Sequence, residues 1–288
     1  MSGAAVRAEL TAEFVEREYN NRARVPRHVE YFARWEKDSR YVRDTLLAHI
    51  DLPYGTHARQ RIDLFPARDP RGTLVFIHGG YWRSLDKSMH SWLAAPYVAA
   101  GLSVAMPNYR LAPEVRIDDI VDDVIAATNW LAAQGASYGV PFERDVVSGH
   151  SAGGHLTAAL FATARERLAF DPARISGGVP ISGIFDFEPL RLFAFNADYQ
   201  LDAAAAGRLS LMDKRATIAA PLVVAAGASE SSEFRRQSTE FAAAWAPQAR
   251  PAMLLPGLDH FTVVDSFAER GQPLHEATLA LFAGTIKP

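Results

Sequence analysis

The segment Gly149-His150-Ser151-Ala152-Gly153 has the G-x-S-x-G pattern, in which a serine hydroxyl can act as a nucleophile. A short apolar run that predicts a strand, Asp145-Val146-Val147, precedes it, and a helix is predicted from Ala152 to Ala164. The small glycine neighbours let the backbone turn tightly at the serine. The N-terminus of the following helix would offer N–H groups to a developing negative oxygen. This setting favours a serine nucleophile over a glycine-rich turn that only caps the helix.

A second glycine-containing segment, His78-Gly79-Gly80-Tyr81-Trp82, directly follows a predicted buried strand. Its two glycines allow the chain to turn back so that main-chain N–H groups face the site. We expect the N–H groups of Gly80 and Tyr81, together with that of Ala152, to form an oxyanion hole. His78 is interpreted as a hydrogen-bonding residue that orients this loop, rather than as a base.

The two segments together resemble those of the α/β-hydrolase superfamily, and within it those of the arylformamidase (kynurenine formamidase) and related carboxylesterase group. Further similar segments are Asn108–Pro113, Ser182–Asp186 and Glu233–Ser238. The resemblance extends from about residue 54 to the C-terminus. It implies an α/β fold of the α/β-hydrolase type, with a mostly parallel central sheet, helices on both faces and a small cap.

A serine nucleophile needs a base, which in this superfamily is a histidine that comes last in the chain order serine, acid, histidine. Only two histidines lie late enough to fit that order. His260 follows the predicted strand Pro251–Leu255, and we predict it to be the base. His275 lies inside the predicted closing helix, where a position on an exposed face is favoured.

The acid that orients the base should follow the predicted strand Pro221–Ala226. We predict Glu230 for this role; the resembling family usually has an aspartate at this position, one methylene shorter. Glu233 is the alternative, although it also fits as an acidic residue in the first turn of a helix. Asp259 is adjacent to His260 in the chain and is poorly placed to bond its ring nitrogen.

The elements that must position these residues alternate between predicted strands and helices from about residue 60 onward. Apolar runs such as Thr73–Ile77 are typical of strands that are buried on both faces of a parallel sheet. An amphipathic helix is predicted over 116–133, and the aspartates in its first turns suit the helix dipole better than a metal site. Right-handed crossovers between parallel strands place the active region at the carboxyl ends of the strands.

Two segments lie outside this alternation. Residues 1–50 are rich in charged and aromatic side chains and predict one or two amphipathic helices packed on the hydrolase domain, which spans 51–288. These helices present either an ordinary solvated face with aromatic anchors or a cover over the site. Residues 186–217 are too long for a plain connection, and we interpret them as an inserted cap.

Composition excludes several classes of function. The chain of 288 residues has 30 basic and 33 acidic residues, and its net charge of −3 gives no support to a nucleic-acid or membrane partner. The absence of cysteine excludes disulfides, a thiolate nucleophile and thiolate zinc sites. We find no nucleotide-binding or zinc motif, and therefore expect no cofactor and no metal. With neither a signal-peptide pattern nor an apolar run of spanning length, we expect a cytoplasmic protein.

The expected partner is a small-molecule substrate, and the oligomeric state is left open. Several aromatic side chains are candidates to line an aryl pocket; they are Tyr81, Trp82, Phe185, Phe187, Phe193, Phe195 and Tyr199. The resemblance implies hydrolysis of a formyl-type aryl amide or ester, with N-formylkynurenine as the leading substrate. The alternatives are a general carboxylesterase or amidase and a non-catalytic binding protein on a hydrolase fold.

Overall fold

The apolar runs of the chain assemble into one central sheet. In the computed structural model, which describes residues 10–286, the sheet has eight strands. They are β1 (His49–Pro53), β2 (Arg61–Phe65), β3 (Thr73–Ile77), β4 (Ser103–Pro107), β5 (Asp145–His150), β6 (Ile175–Ile181), β7 (Ala225–Gly227) and β8 (Met253–Leu255). Their spatial order is β1-β2-β4-β3-β5-β6-β7-β8. β2 runs antiparallel to both β1 and β4, and the pairs from β4 to β8 are parallel.

Helices cover both faces of this sheet. The α-helices are α1 (Ala12–Tyr19), α2 (Asn21–Arg24), α3 (His28–Thr45), α4 (Ala94–Ala99), α5 (Ile117–Gln134), α6 (Ala152–Phe161), α7 (Asn196–Tyr199), α8 (Ala203–Leu209), α9 (Ser232–Ala244), α10 (Val263–Ala268) and α11 (Pro273–Phe282). Within the described part of the chain, none of them is long and apolar enough to cross a membrane.

Side chains of the central strands alternate between two buried layers, as the period of two in a strand requires. Val75 and Ile77 of β3 contribute to the layer that contains α1, α5, α6, α8 and α9. Leu74 and Phe76 of the same strand contribute to the opposite layer, which contains α3, α4, α10 and α11. Every residue of β3 is buried, as expected for a strand that is covered on both faces.

The N-terminal helices are held to the sheet by buried charges as well as by aromatic packing. Asp63 of β2 is fully buried between the Arg43 guanidinium, at 2.5 Å, and the Lys87 ammonium, at 2.8 Å. On the same side, Trp35 of α3 stacks on Trp92 with ring centroids 6.2 Å apart. Removing either cation would leave Asp63 buried with incomplete charge compensation. Because Arg43 belongs to α3 and Asp63 to β2, their ion pair binds these two elements to each other.

The aspartates at the start of α5 serve the fold. The carboxylate of Asp119 accepts the N–H of Arg116 at 2.9 Å and caps the helix. Asp123 is buried and pairs with Arg110, whose Nη2 lies 2.7 Å from its Oδ1. Both contacts are local structural ones, in agreement with the interpretation of these acids as part of the helix.

The structure differs from the sequence prediction in a few elements. β1 was not predicted; the positive φ of 59° at Asp51 lies at a register shift in its pairing with β2 and interrupts the alternation that marks a strand. The strand predicted over Pro221–Ala226 is reduced to β7, preceded by isolated bridges from Leu222. The position predicted for His275 is wrong: the residue is buried, its Nδ1 lies 3.1 Å from the carbonyl oxygen of Phe267, and it fills the contact between α10 and α11.

Candidate active site

Ser151 occupies the sharp turn between β5 and α6. Its backbone has φ 56° and ψ −118°, a conformation that is strained for a residue with a Cβ. The turn is held in place by the serine N–H, which donates to the carbonyl oxygen of Ile181 in the neighbouring strand β6 at 2.8 Å. The adjacent strand thus stabilises the backbone of Ser151 in the strained conformation.

The glycines around the serine are required by close packing of main chain on main chain. A Cβ on Gly153 would lie 2.0 Å from the carbonyl oxygen of Ile77, at the end of β3. A Cβ on Gly149 would lie 2.3 Å from the carbonyl oxygen of Gly153. Gly79, in the loop after β3, lies so close that its Cβ would be 3.1 Å from that of Ser151. The serine turn and the glycine loop are therefore in direct contact.

His260 lies in the loop after β8 and is paired with a carboxylate. Its Nδ1 lies 2.7 Å from Oε2 of Glu230, and both side chains are buried. The other carboxylate oxygen, Oε1, accepts the hydroxyl of Ser182 at 2.6 Å and the N–H of Gly227 at 2.7 Å. A carboxylate oxygen accepts hydrogen bonds, so Nδ1 of the ring is the donor in this contact, and a neutral ring then has Nε2 as an acceptor.

The two other acids near His260 are bound elsewhere. The carboxylate of Glu233 accepts the hydroxyl of Tyr19 at 2.8 Å and forms an ion pair with Arg236, whose Nε lies 2.7 Å from Oε1. Oδ1 of Asp259 accepts the N–H groups of Phe261 and Thr262, both at 2.9 Å. Of the three acids considered from the sequence, the structure brings only Glu230 to the ring of His260.

His150, the residue before the serine, connects the serine turn to the histidine loop. Burial lowers the pKa of His150 well below its usual value, so the ring is neutral and has one N–H to donate. Its Nε2 lies 2.7 Å from the carbonyl oxygen of His260, and the two imidazole rings have centroids 4.7 Å apart. The loop that carries His260 is thus held next to the turn that carries Ser151.

The loop at residues 78–82 has an unusual backbone, with φ 110° at Gly80 and φ 53° at both Tyr81 and Trp82. A Cβ on Gly80 would lie 2.1 Å from the carbonyl oxygen of Ser84, so only glycine fits there. The N–H groups of Gly80, Tyr81 and Ala152 bond no acceptor within residues 10–286. Ala152 is the first residue of α6, where the N–H has no partner within the helix. These groups are available to a ligand oxygen.

His78 orients this loop from behind, in agreement with its interpretation from the sequence. Its Nε2 lies 2.8 Å from Oδ1 of Asn108, and its ring stacks on Tyr109 with centroids 4.3 Å apart. The hydroxyl of Tyr109 donates to the carbonyl oxygen of His78 at 2.8 Å. Burial lowers the pKa of His78 to about 4, which keeps the ring uncharged at neutral pH.

Ser151 and His260 both line one pocket at this edge of the sheet. Its walls come from the N-terminal helices, the 78–85 loop, the serine turn, the cap and the histidine loop. The lining residues are Asn20, Asn21, Arg22, Phe32, Trp35, Gly80, Tyr81, Arg83, Ser84, Leu85, His150, Ser151, Phe195, His260 and Phe261.

Comparison with known proteins agrees with this geometry. The model of the alpha/beta hydrolase fold family matches residues 74–243, which is more than half of the chain. A crystal structure from Silicibacter sp. TM1040, described as that of a candidate thioesterase, is 32% identical, covers 95% of this chain and 100% of its own, and superposes with a TM-score of 0.82.

The chain belongs to the alpha/beta hydrolase family. It is similar to kynurenine formamidase of Danio rerio, with 26% identity over 88% of this chain and 87% of that protein. It is also similar to a carboxylesterase of Mycobacterium tuberculosis, with 35% identity over 34% of this chain and 31% of the relative. The fold and these relatives make the chain a hydrolase, and the resemblance drawn from its motifs is confirmed.

Of the seven aromatic candidates for the pocket wall, Tyr81 and Phe195 line the pocket and the other five do not. Trp82 and Phe187 pack on each other in the core, with ring centroids 5.1 Å apart, and Phe185 stacks on Phe241 at 3.9 Å. These side chains are buried in the hydrophobic layer that contains α5, α6 and α9, and they therefore do not line the pocket.

The sequence prediction missed the pocket residues of α2 and α3 and the hydroxyl that supports the acid. Asn21, Arg22 and Trp35 lie in the segment whose role was left open, and the structure places them over the site. Ser182 was noted only as part of a segment of family resemblance, whereas its hydroxyl bonds Glu230. The sequence signal that could have predicted these pocket residues was the number of aromatic and basic side chains in the N-terminal segment.

A matched pair of glycine substitutions tests the packing at the serine turn. Gly153→Ala should lower the free energy of unfolding by about 2 kcal/mol or more, because its methyl group meets a main-chain oxygen that cannot move freely. Gly207→Ala, in α8, meets nothing within 4 Å and should be neutral or stabilise by up to about 1 kcal/mol. Urea denaturation measures both values, and equal effects of the two variants would contradict the packing argument.

Proposed function

We propose that the chain is a serine hydrolase in which Ser151 is the nucleophile, His260 the base and Glu230 the acid that orients the base. The observation that carries this proposal is the 2.7 Å contact between His260 Nδ1 and the buried Glu230 carboxylate, at the wall of the pocket that Ser151 lines. That hydrogen bond leaves Nε2 of His260 free to accept the proton of the serine hydroxyl.

The reaction would be an acyl transfer in two stages. His260 takes the proton of Ser151 Oγ as that oxygen attacks the carbonyl carbon, and it then gives the proton to the departing amine or alcohol. Glu230 stabilises the imidazolium that forms in between. In the second stage, His260 activates a water molecule that releases the acyl group from the serine.

The oxyanion of the tetrahedral intermediate would be bound by main-chain N–H groups. The candidates are the N–H of Ala152 at the start of α6 and those of Gly80 and Tyr81, which bond no acceptor in the described part of the chain. Their backbone is fixed before the substrate binds, so little reorganisation is needed as charge develops. Loss of one such donor typically raises the barrier by about 3 kcal/mol.

For the substrate, we propose a formyl-type aryl amide, with N-formylkynurenine as the leading example. Similarity to kynurenine formamidase over 88% of the chain supports this assignment. The pocket supports it as well, because aromatic side chains of Phe32, Tyr81 and Phe195 line it beside Ser151. The alternative is a general carboxylesterase or amidase, which the similarity to a carboxylesterase of Mycobacterium tuberculosis favours.

Steady-state kinetics separate the two candidates and test the nucleophile. We expect kcat/KM for N-formylkynurenine to exceed that for p-nitrophenyl acetate, whereas the reverse order would favour the carboxylesterase. Ser151→Ala should lower kcat for both compounds by at least about 10⁴-fold, with an unchanged circular dichroism spectrum. Ser137→Ala, which changes an exposed serine outside the pocket, is the control. Turnover of Ser151→Ala close to that of the wild type would refute the nucleophile, and inactive wild-type enzyme would favour a binding protein.

Two isosteric substitutions test the choice of acid. Glu230→Gln should lower kcat by about 10³- to 10⁴-fold, because the neutral amide neither stabilises the imidazolium nor fixes the reactive tautomer of His260. Glu233→Gln removes the charge that pairs with Arg236 and should affect stability more than kcat. Parallel measurements of kcat and of urea denaturation check both statements. A greater loss of kcat in Glu233→Gln than in Glu230→Gln would move the acid to Glu233.

A further inference from the structure

The charged side chains that line the pocket are cationic. Apart from the histidines, the ionisable lining residues with a charge at neutral pH are Arg22 and Arg83, and no carboxylate of the described residues lines the pocket. Glu230 lies behind His260 and is buried by its own hydrogen bonds. Apart from the histidines, the charged groups that line the pocket are therefore guanidinium groups.

The two arginines differ in how far their charge is compensated. Nε of Arg83 lies 2.5 Å from Oδ2 of Asp198, and its guanidinium packs over the ring of Phe195 at 4.3 Å. Arg22 forms no ion pair with a carboxylate among residues 10–286; its Nη2 lies 3.4 Å from the hydroxyl of Ser84. Arg22, an exposed residue, is thus the guanidinium of the pocket wall that no carboxylate among residues 10–286 pairs with.

Arg22 is held at the pocket by the structure around it. Its guanidinium packs over Phe32 at 5.6 Å from the ring centre, and both residues line the pocket. The preceding residue, Asn21, donates from Nδ2 to the hydroxyl of Tyr81 at 3.4 Å, and that hydroxyl donates to the carbonyl oxygen of Tyr19 at 2.5 Å. These hydrogen bonds therefore connect the backbone that precedes Arg22 to the loop that contains Gly80 and Tyr81.

We propose that Arg22 binds a carboxylate on the substrate and that it makes the enzyme select carboxylate-bearing aryl compounds over neutral ones. This inference rests on the proposed hydrolysis at Ser151 and deepens it by naming a substrate class. A guanidinium presents parallel N–H donors that match the two oxygens of a carboxylate. One unpaired arginine suits a single negative charge, and the aromatic side chains around it suit the aryl body that carries the carboxylate.

The selectivity has a direct chemical consequence for the substrate's orientation. With its carboxylate on Arg22 at the wall formed by α2 and its scissile carbonyl at Ser151, a substrate would be held at two points of the same pocket. A neutral compound would be held only by its apolar contacts. Arg22 would then act on KM more than on kcat, because it touches a group that does not react.

The test compares substrates that differ only in the carboxylate. The first pair is N-formylkynurenine and N-formylkynuramine, which share the aryl formamide, and the second pair is 4-acetoxybenzoate and its methyl ester. The quantity measured is the ratio of kcat/KM for the compound with the carboxylate to that for the compound without it. The ester pair applies even if formamides are not substrates, so failure of the formamidase proposal and failure of this inference are distinguishable.

Arg22→Gln should lower that ratio by about ten- to hundredfold, mainly through a higher KM for the carboxylate compound. Arg22→Lys should retain part of the ratio, because it keeps the charge without the paired donors. Arg24→Gln is the matched control: Arg24 lies in the same short helix, is exposed and does not line the pocket, so the ratio should stay unchanged. The wild-type ratio should also fall as salt concentration rises.

Two results would overturn the inference. One is a wild-type enzyme that does not prefer the carboxylate member of either pair. The other is an Arg22→Gln variant in which kcat/KM falls equally for the compounds with and without the carboxylate, since a structural role in the pocket wall would have that effect. Hydrolysis of p-nitrophenyl acetate that depends on Ser151, seen together with either result, would leave the serine mechanism in place while refuting the role of Arg22.

Discussion

A buried carboxylate is costly unless donors surround it, and the arrangement around Glu230 satisfies that requirement. Its donors come from the carboxyl ends of three strands: Ser182 after β6, Gly227 at the end of β7 and His260 after β8. These strands are neighbours in the sheet and parallel, so their carboxyl ends meet at one edge. The hydrogen bonds of this one carboxylate therefore join the loops that build the site, and they also determine which ring nitrogen of His260 faces the pocket.

The N-terminal segment is joined to the same site by a second set of polar contacts. The hydroxyl of Tyr19 donates to Glu233 and accepts from Nε2 of Gln237 at 2.6 Å, while the carbonyl oxygen of Tyr19 accepts the hydroxyl of Tyr81. Glu233, the alternative to Glu230 in the sequence analysis, thus holds the N-terminal segment in place. Glu230 and Glu233 lie three positions apart in the chain, yet one bonds the ring of His260 and the other holds α1 against α9.

The motifs predicted the fold correctly, and they also supplied the residues of the proposed mechanism, because the patterns that mark them are mostly local. The strand, the tight turn and the helix around Ser151 are encoded within seventeen residues, 145–161, and His260 is suggested by chain order. The choice between Glu230 and Glu233 depends on Tyr19 and Arg236, and the sequence does not reveal those contacts. The residues of the pocket wall were harder to predict, because the side chain of an aromatic residue beside a motif can point into the pocket or into the core. Trp82, Phe185 and Phe187 point into the core, whereas Arg22 and Trp35, more than a hundred residues before the serine, line the site.

Covalent labelling tests the central claim, the activation of Ser151 by His260, most directly. A fluorophosphonate probe reacts with a serine whose hydroxyl is activated by a neighbouring base, and peptide mass spectrometry then locates the adduct. We expect one phosphonylated residue, Ser151, and loss of labelling in a His260→Ala variant that remains folded. Labelling at another serine, or equal labelling of Ser151 with and without the imidazole, would contradict it.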